Sequence, residues 1–207
     1  MTEQRRGRFL TFEGGEGSGK STQLRLLAGR LRAQGREVVE TVEPGGTEIG
    51  NQIRRILLDR ANTHLCSIPE MLLYFAARAQ NLEQLILPAL ERGAVVLADR
   101  YTDSTLAYQG AGRGLGEDLV FQLHHLACRD IWPEITIYID IDPETGLARR
   151  RATDEVNRLD VEALEFHRRV RETYLCLATR FPNRIKVIDG SRDIETVAGG
   201  IWAATAF

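Results

Sequence analysis

The sequence predicts an α/β fold with a parallel five-stranded sheet flanked by helices. Short apolar or β-branched runs alternate with longer stretches of helical periodicity along all 207 residues, the signature of repeated strand–helix units. Two of the runs, residues 94–98 (AVVLA) and 135–141 (ITIYIDI), are almost wholly apolar. Strands of that kind belong inside a sheet whose two faces are both covered by helices. A chain of this length is long enough to bury a full core as one domain.

Taken in order, Phe9, Leu10, Thr11 and Phe12 make a first buried strand, expected at the centre of the sheet. Residues 13–19 then hold four glycines in seven positions, and Gln23, Leu24, Leu26, Leu27 and Leu31 recur at helical spacing to about Gln34, where Gly35 is a natural C-cap. Gly14-x4-Gly19-Lys20-Ser21 therefore sits between a strand and a helix, the context that a phosphate-binding loop requires. Glycines let consecutive backbone N–H groups turn around an oxyanion, and the helix start adds its positive end. Lys20 is placed to reach the β/γ phosphates and Ser21 to ligate Mg²⁺. This is a nucleoside triphosphate site.

Residues 38–42 (VVETV) form the second strand, closed by the turn Glu43-Pro44-Gly45-Gly46. Thr47 caps a helix carrying Ile49, Ile53, Ile56 and Leu57. Ser67 and Glu70 have the spacing of a capping box, with Pro69 in the first turn of a long helix. Its apolar stripe is Met71, Leu72, Phe75, Leu82, Leu85 and Ile86; Pro88 kinks it and Gly93 ends it. The third strand, 94–98, delivers Asp99-Arg100-Tyr101 at its C-terminal end, the edge where open α/β sheets bind ligands. A glycine-rich segment, 110–116, leads into a helix over about 117–128, and the fourth strand, 135–141, is followed by a helix capped at Asp142-Pro143-Glu144. That helix runs into an arginine-rich stretch, 149–158. A long helix over 161–180, a last strand at 184–188 and a helix from near Asp193 complete the chain.

Composition narrows the function. A net charge of −2, from 27 basic and 29 acidic side chains, lacks the basic balance of a nucleic-acid footprint. No run approaches the ~18 apolar residues of a membrane span, and residues 1–8 are too polar for a signal sequence, so a cytoplasmic protein is expected. Cys66, Cys128 and Cys176, odd in number and widely spaced in apolar surroundings, are expected as buried free thiols. His124 and His125 are adjacent on a helix, face different ways, and receive no role.

The loop alone does not separate a motor, a switch GTPase, a transport ATPase and a small-molecule kinase. No Asn-Lys-x-Asp guanine reader is present. Asp99-Arg100 puts an acid, suited to a metal or lysine contact, directly before a cation suited to an anionic acceptor. The arginine-rich stretch suits a closing lid that supplies charge and excludes water. Tyr74 and Arg78, at i and i+4, share one helix face.

With these features together, the chain closely resembles the bacterial type of thymidylate kinase. The resemblance rests on FEGGEGSGKST, on EPGGT at 43–47, on LLYFAARAQ at 72–80, on DRYTDSTLAYQGAGRG at 99–114 and on the arginines of 149–158. It implies a P-loop nucleoside triphosphate hydrolase fold and a single nucleoside monophosphate kinase domain over 1–207 with a lid at about 149–160. It also implies conversion of dTMP to dTDP with Mg²⁺ and ATP, by a homodimer with no nucleic-acid or membrane partner. By the same resemblance Gly14, Gly15, Glu16, Gly17, Ser18, Gly19, Lys20, Ser21 and Thr22 hold ATP, while Ser21 and Asp99 serve the metal. Arg100, assisted by Arg54, takes the acceptor phosphate; Arg55 is a surface charge. Tyr74 stacks on thymine, with Phe75 the alternative stacker, and Arg78 bonds a base carbonyl. Thr105 and Gln109 read the base edge, Tyr108 lies near the sugar, and Glu16 meets the 3′-OH. Some relatives carry a catalytic arginine at the position of Gly17; a glycine supplies no charge, so Arg149, Arg151 and Arg158 of the lid are the catalytic candidates beside Lys20 and Arg100. The sequence departs from the family pattern at Val42, where arginine is common, and over 152–155, which lack a basic residue.

Overall fold

In the computed structural model, which describes residues 7–152 and 157–207, the first strand, β1 (Arg8–Glu13), is the middle of the sheet. On one side of it lie β3 (Val95–Asp99) and β2 (Val38–Val42), on the other β4 (Ile135–Asp140) and β5 (Ile185–Asp189), in the order β2-β3-β1-β4-β5. Every neighbouring pair is parallel. Successive side chains of a strand point to opposite faces, and the core divides accordingly. Phe9, Val96, Ala98 and Tyr138 face one helical layer, while Leu10, Phe12, Leu97 and Ile137 face the other.

The second layer is α1 (Lys20–Ala33) with α9 (Ile194–Thr205), which pack Leu24, Leu27, Leu31, Val197 and Ile201 onto the sheet. The first contains α2 (Glu48–Leu58), α3 (Ser67–Asn81), α6 (Glu117–Cys128) and α8 (Leu164–Arg180). Thr47 caps α2 by accepting from Gly50 N at 3.0 Å, and Asp142 caps α7 (Pro143–Arg151) through Thr145 N. Chain order reverses across β1: β2 and β3 are laid down on one flank and β4 and β5 on the other. The loop after β1 thus opens into a crevice at the carboxyl edge of the sheet, the place where such folds bind ligands.

Three expectations change. Ser67 and Glu70 form no capping box, because Cys66 occupies the N-cap without a side-chain capping bond and Glu70 is turned fully inward. The long helix does not simply kink at Pro88. A π-helical segment, Leu82–Ile86, precedes α4 (Leu87–Glu91), and the Leu87 N–H reaches back to Leu82 O, five residues away. Proline cannot donate to the carbonyl four residues behind it, and the widened turn absorbs that defect. Of the three free cysteines only Cys128 is buried; Cys66 and Cys176 are exposed. The stretch after Arg100 that carries Thr105 and Gln109 is helical: α5 (Thr102–Thr105) continues into a π-helical segment, Leu106–Gly112. The expected lid is described as the end of α7 and as residues 157–160; its residues 153–156, like residues 1–6, lie outside the described part.

Candidate active site

The loop between β1 and α1 is shaped by glycines at positive φ, including Gly17 at 66° and Gly19, the N-cap of α1, at 91°. Side chains rarely tolerate that region. With Gly19 as cap, α1 starts at Lys20 with its first N–H groups unpaired within the helix, directed at the crevice. Lys20 Nζ folds over the loop and donates to Gly14 O (3.1 Å), Gly15 O (2.8 Å) and Ser18 Oγ (3.4 Å). Burial, reinforced by Arg100, brings the Lys20 ammonium down to about 8 despite the opposing charges of Glu16 and Asp99. Ser21 Oγ donates to Asp99 Oδ2 at 2.5 Å, joining the start of α1 to the end of β3.

Arg100 leaves β3 with φ 76°, a left-handed conformation uncommon for a residue with a side chain. The turn is over-determined: Phe12 O accepts from Arg100 N, and Glu13 Oε1 accepts from Tyr101 N at 2.7 Å. Glu13 is fully buried and also accepts from Ser104 Oγ and Tyr174 OH; burial, with Asp103 adding to it, pushes its carboxyl upward. So held, the Arg100 guanidinium donates to Glu16 Oε1 (2.9 Å), Tyr108 OH (3.1 Å) and Ser104 Oγ (3.0 Å). Burial alone would raise the Glu16 carboxyl, but Arg100 and then Lys20 outweigh it and hold it at about 2.

One cavity of about 430 Å³ joins these groups. Residues 16–22 of the loop form one end of it. Arg54, Tyr74, Arg78, Asp99, Arg100, Thr105, Tyr108 and Gln109 form the walls, and Arg149 lines it as well. Arg54 Nη1 donates to Pro44 O at 2.7 Å. Arg78 is 1% exposed and is fixed by Glu43 Oε2 (2.6 Å) and Tyr101 O (3.0 Å), while its Nη1 has no hydrogen-bond partner among the described residues. Thr105 Oγ1 is likewise buried without a partner there. Both residues line the cavity, and buried polar groups of this kind are expensive to leave unpaired.

Not every candidate residue reaches this cavity. Gly14 and Gly15 offer their carbonyls to Lys20 instead of lining it, and Phe75 packs in the core beneath Arg78. Arg151 is exposed and outside the lining, and Arg158 is buried against Leu57 O and Glu70. In their place the structure brings up Arg150, which lines the cavity and donates to Asp160 Oδ2. The cause is the phase of α7. Gly17 and Gly146 meet backbone to backbone: a Cβ on Gly17 would lie 2.1 Å from Gly146 O, and one on Gly146 would lie 2.4 Å from Glu16 O. Residues three and four along a helix share a face, so the face bearing Gly146 carries Arg149 and Arg150. Glu43 and Glu70, read as turn and cap residues, are the other omissions. Their partners lie 35 to 88 positions away, beyond any local pattern.

A family model described as thymidylate kinase matches residues 12–201. The thymidylate kinase of Thermomicrobium roseum is 53% identical over 94% of this chain and 92% of its own length. That of Pelobacter propionicus is 48% identical over 95% and 93%. Among solved structures, thymidylate kinase from Ehrlichia chaffeensis matches with a TM-score of 0.80 at 34% identity, covering 98% of this chain and 99% of that one.

Proposed function

The chain belongs to the thymidylate kinase family, and from that premise we propose how its residues divide the work of phosphorylating dTMP to dTDP with ATP. The reading rests on one observation: the phosphate loop and the Tyr74–Arg78–Gln109 wall line the same cavity, with Arg100 bonded both to Glu16 of the loop and to Tyr108 of the wall. A donor held at the loop and an acceptor held at the wall would meet across Arg100.

The loop amides and Lys20 hold the ATP phosphates, Lys20 exchanging its loop carbonyls for phosphate oxygens. Arg100 and Arg54 fix the dTMP phosphate, and Glu16 and Tyr108, already bonded to each other and to Arg100, line the sugar end. Arg78 Nη1 and Thr105 Oγ1 find partners on the base, against which Tyr74 packs. The γ-phosphoryl group then passes in line to an α-phosphate oxygen of dTMP, breaking the bond to the ADP oxygen. The attacking oxygen is already anionic, so the protein needs no general base; it supplies alignment and positive charge. Arg149 and Arg150 are the cations on the approaching face of α7.

Ser21 Oγ and Asp99 Oδ2 are two hard oxygen donors 2.5 Å apart beside the phosphate cradle. Once their mutual hydrogen bond opened, they would hold Mg²⁺, a hard cation that takes few protein oxygens. When bound, the ion neutralises charge developing on the phosphate oxygens. The reading extends to a single kinase domain whose lid spans the end of α7 to about residue 160, to a cytoplasmic enzyme acting on nucleotides alone, and to a homodimer. Exposed Ile49, Ile56, Ile68, Leu72 and Leu126 on α2, α3 and α6 support the last. ADP release from Mg²⁺ and ATP against dTMP, dUMP, dCMP, AMP and thymidine tests the whole. Fast turnover with dTMP, slower with dUMP and none with thymidine is expected; ADP release independent of any acceptor would sink it.

A further inference from the structure

We propose that Glu70 is a positioning residue for base selectivity: its carboxylate dictates which end of the Gln109 amide faces the acceptor base. The proposal rests on the reading of Gln109 as a base-edge contact and supplies the group behind it. Glu70 lies in the first turn of α3, one turn before Tyr74, and is 0% exposed. It accepts from Gln109 Nε2 at 2.9 Å, from Arg113 Nε and Nη2 at 3.3 Å each, and from Arg158 Nη2. A carboxylate clasped by two guanidinium groups only accepts hydrogen bonds. The Gln109 amide, itself buried on the cavity wall, must therefore turn its NH₂ toward Glu70, and its carbonyl oxygen is the end left for the cavity.

That orientation carries chemical information. Thymine presents the N3–H donor between two carbonyl acceptors, whereas cytosine presents an N3 lone pair beside an amino group. A fixed amide oxygen pairs with the N3–H of thymine and opposes the N3 lone pair of cytosine. A free amide would flip and accommodate either. Sites built for one hydrogen-bond pattern reject its inverse because a buried polar group is left unpaired. With a neutral amide at position 70, which offers an oxygen or an NH₂, the constraint on Gln109 disappears.

The test compares kcat/KM for dTMP with kcat/KM for 5-methyl-dCMP, which differs from dTMP only at N3 and the 4-substituent. In Glu70→Gln the ratio is expected to fall at least 10-fold while the KM for ATP stays within twofold, with folding checked by circular dichroism. If both substrates lose activity in parallel and the ratio holds, Glu70 is merely structural and the proposal is overturned. Should Glu70→Gln fail to fold, Glu70→Gln/Arg113→Met removes a cation along with the anion and carries the same prediction, against Arg113→Met alone, whose ratio should be unchanged. Gln109→Leu separates the two levels. A ratio unaltered by Gln109→Leu means that Gln109 does not read the base, and both readings fall. A ratio lowered by Gln109→Leu but not by Glu70→Gln leaves the base contact standing and removes Glu70.

Discussion

Lys20 closes a ring on its own loop, and its three acceptors are all uncharged. Burial, then Arg100, lowers its pKa to about 8, so its charge is present below that pH and lost above it. The pH profile of kcat/KM reports groups of the free enzyme, so kcat/KM for ATP should fall as pH rises through about 8. Bound phosphates restore the ammonium, and kcat at saturating ATP should decline only at higher pH. A kcat/KM for ATP that stays level to roughly pH 9.5 would contradict this role for Lys20. Arg100 is the other side chain on which the proposed reading depends. Its backbone sits at φ 76°, a conformation that costs on the order of 1–3 kcal/mol and that Phe12 O and Glu13 enforce. Arg100→Ala should raise the KM for dTMP and lower kcat/KM by at least ~10-fold, about 1.4 kcal/mol, with little change in the KM for ATP. Steady-state kinetics with dTMP varied would show it, and unchanged kinetics would remove Arg100 from the site.

At the scale of elements, α7 is placed by the absence of two side chains. Gly17 and Gly146 let the helix touch the phosphate loop, and this contact chooses Arg149 and Arg150 over Arg151 as the residues of its inner face. In Gly146→Ala the added Cβ would meet Glu16 O at 2.4 Å, and the helix would have to retreat by on the order of 1 Å. Misplacement of that size can cost ~100-fold in catalysis. We expect kcat to fall by at least ~10-fold with a smaller change in the KM for dTMP, because Arg54, Tyr74, Arg78 and Gln109 of the acceptor wall are on other elements. An unchanged kcat would show that α7 does not deliver charge to the reaction. The same contact explains a limit of the sequence. Three successive arginines at 149–151 carry no periodicity, so helix phase is invisible until its packing partner is known. Glu70 illustrates the converse. The Ser-x-x-Glu spacing is shared by a capping box and by a glutamate turned into the core, and only the distant Gln109, Arg113 and Arg158 decide between them. By contrast the phosphate loop was legible at once, because strand, glycines, lysine and helix are local in sequence.

Across the whole molecule, the inner strands β1, β3 and β4 were legible because burial on both faces leaves apolar runs, and the half-exposed edge strands β2 and β5 by their β-branched residues; β2 has the bounds expected for it, and the other strands fall within a residue or two. The pairing of helices with one another left no such mark. α3 packs against both α2 and α6, yet this layer retains exposed apolar side chains: Ile49 (49%), Ile56 (47%), Ile68 (44%), Leu72 (48%) and Leu126 (78%). In α1 and α9 the large apolar residues this exposed are only Leu26 and Ile194. An apolar patch concentrated on adjacent helices marks an interaction site, and in a closed two-fold dimer the same patch would meet itself. The patch lies behind the acceptor wall, since α3 carries Leu72 on one face and Tyr74 and Arg78 on another. A second copy seated there would hold that wall from outside without entering the site. Sedimentation equilibrium should therefore find a dimer. Leu72→Glu would put a charge in this apolar face of each copy and should shift the species to monomer at micromolar concentration, with far-ultraviolet circular dichroism unchanged because the position is half-exposed. Dissociation should weaken dTMP binding more than ATP binding, as the wall loses its outer support. A wild-type monomer, or a Leu72→Glu dimer as tight as the parent, would rule this face out as the interface.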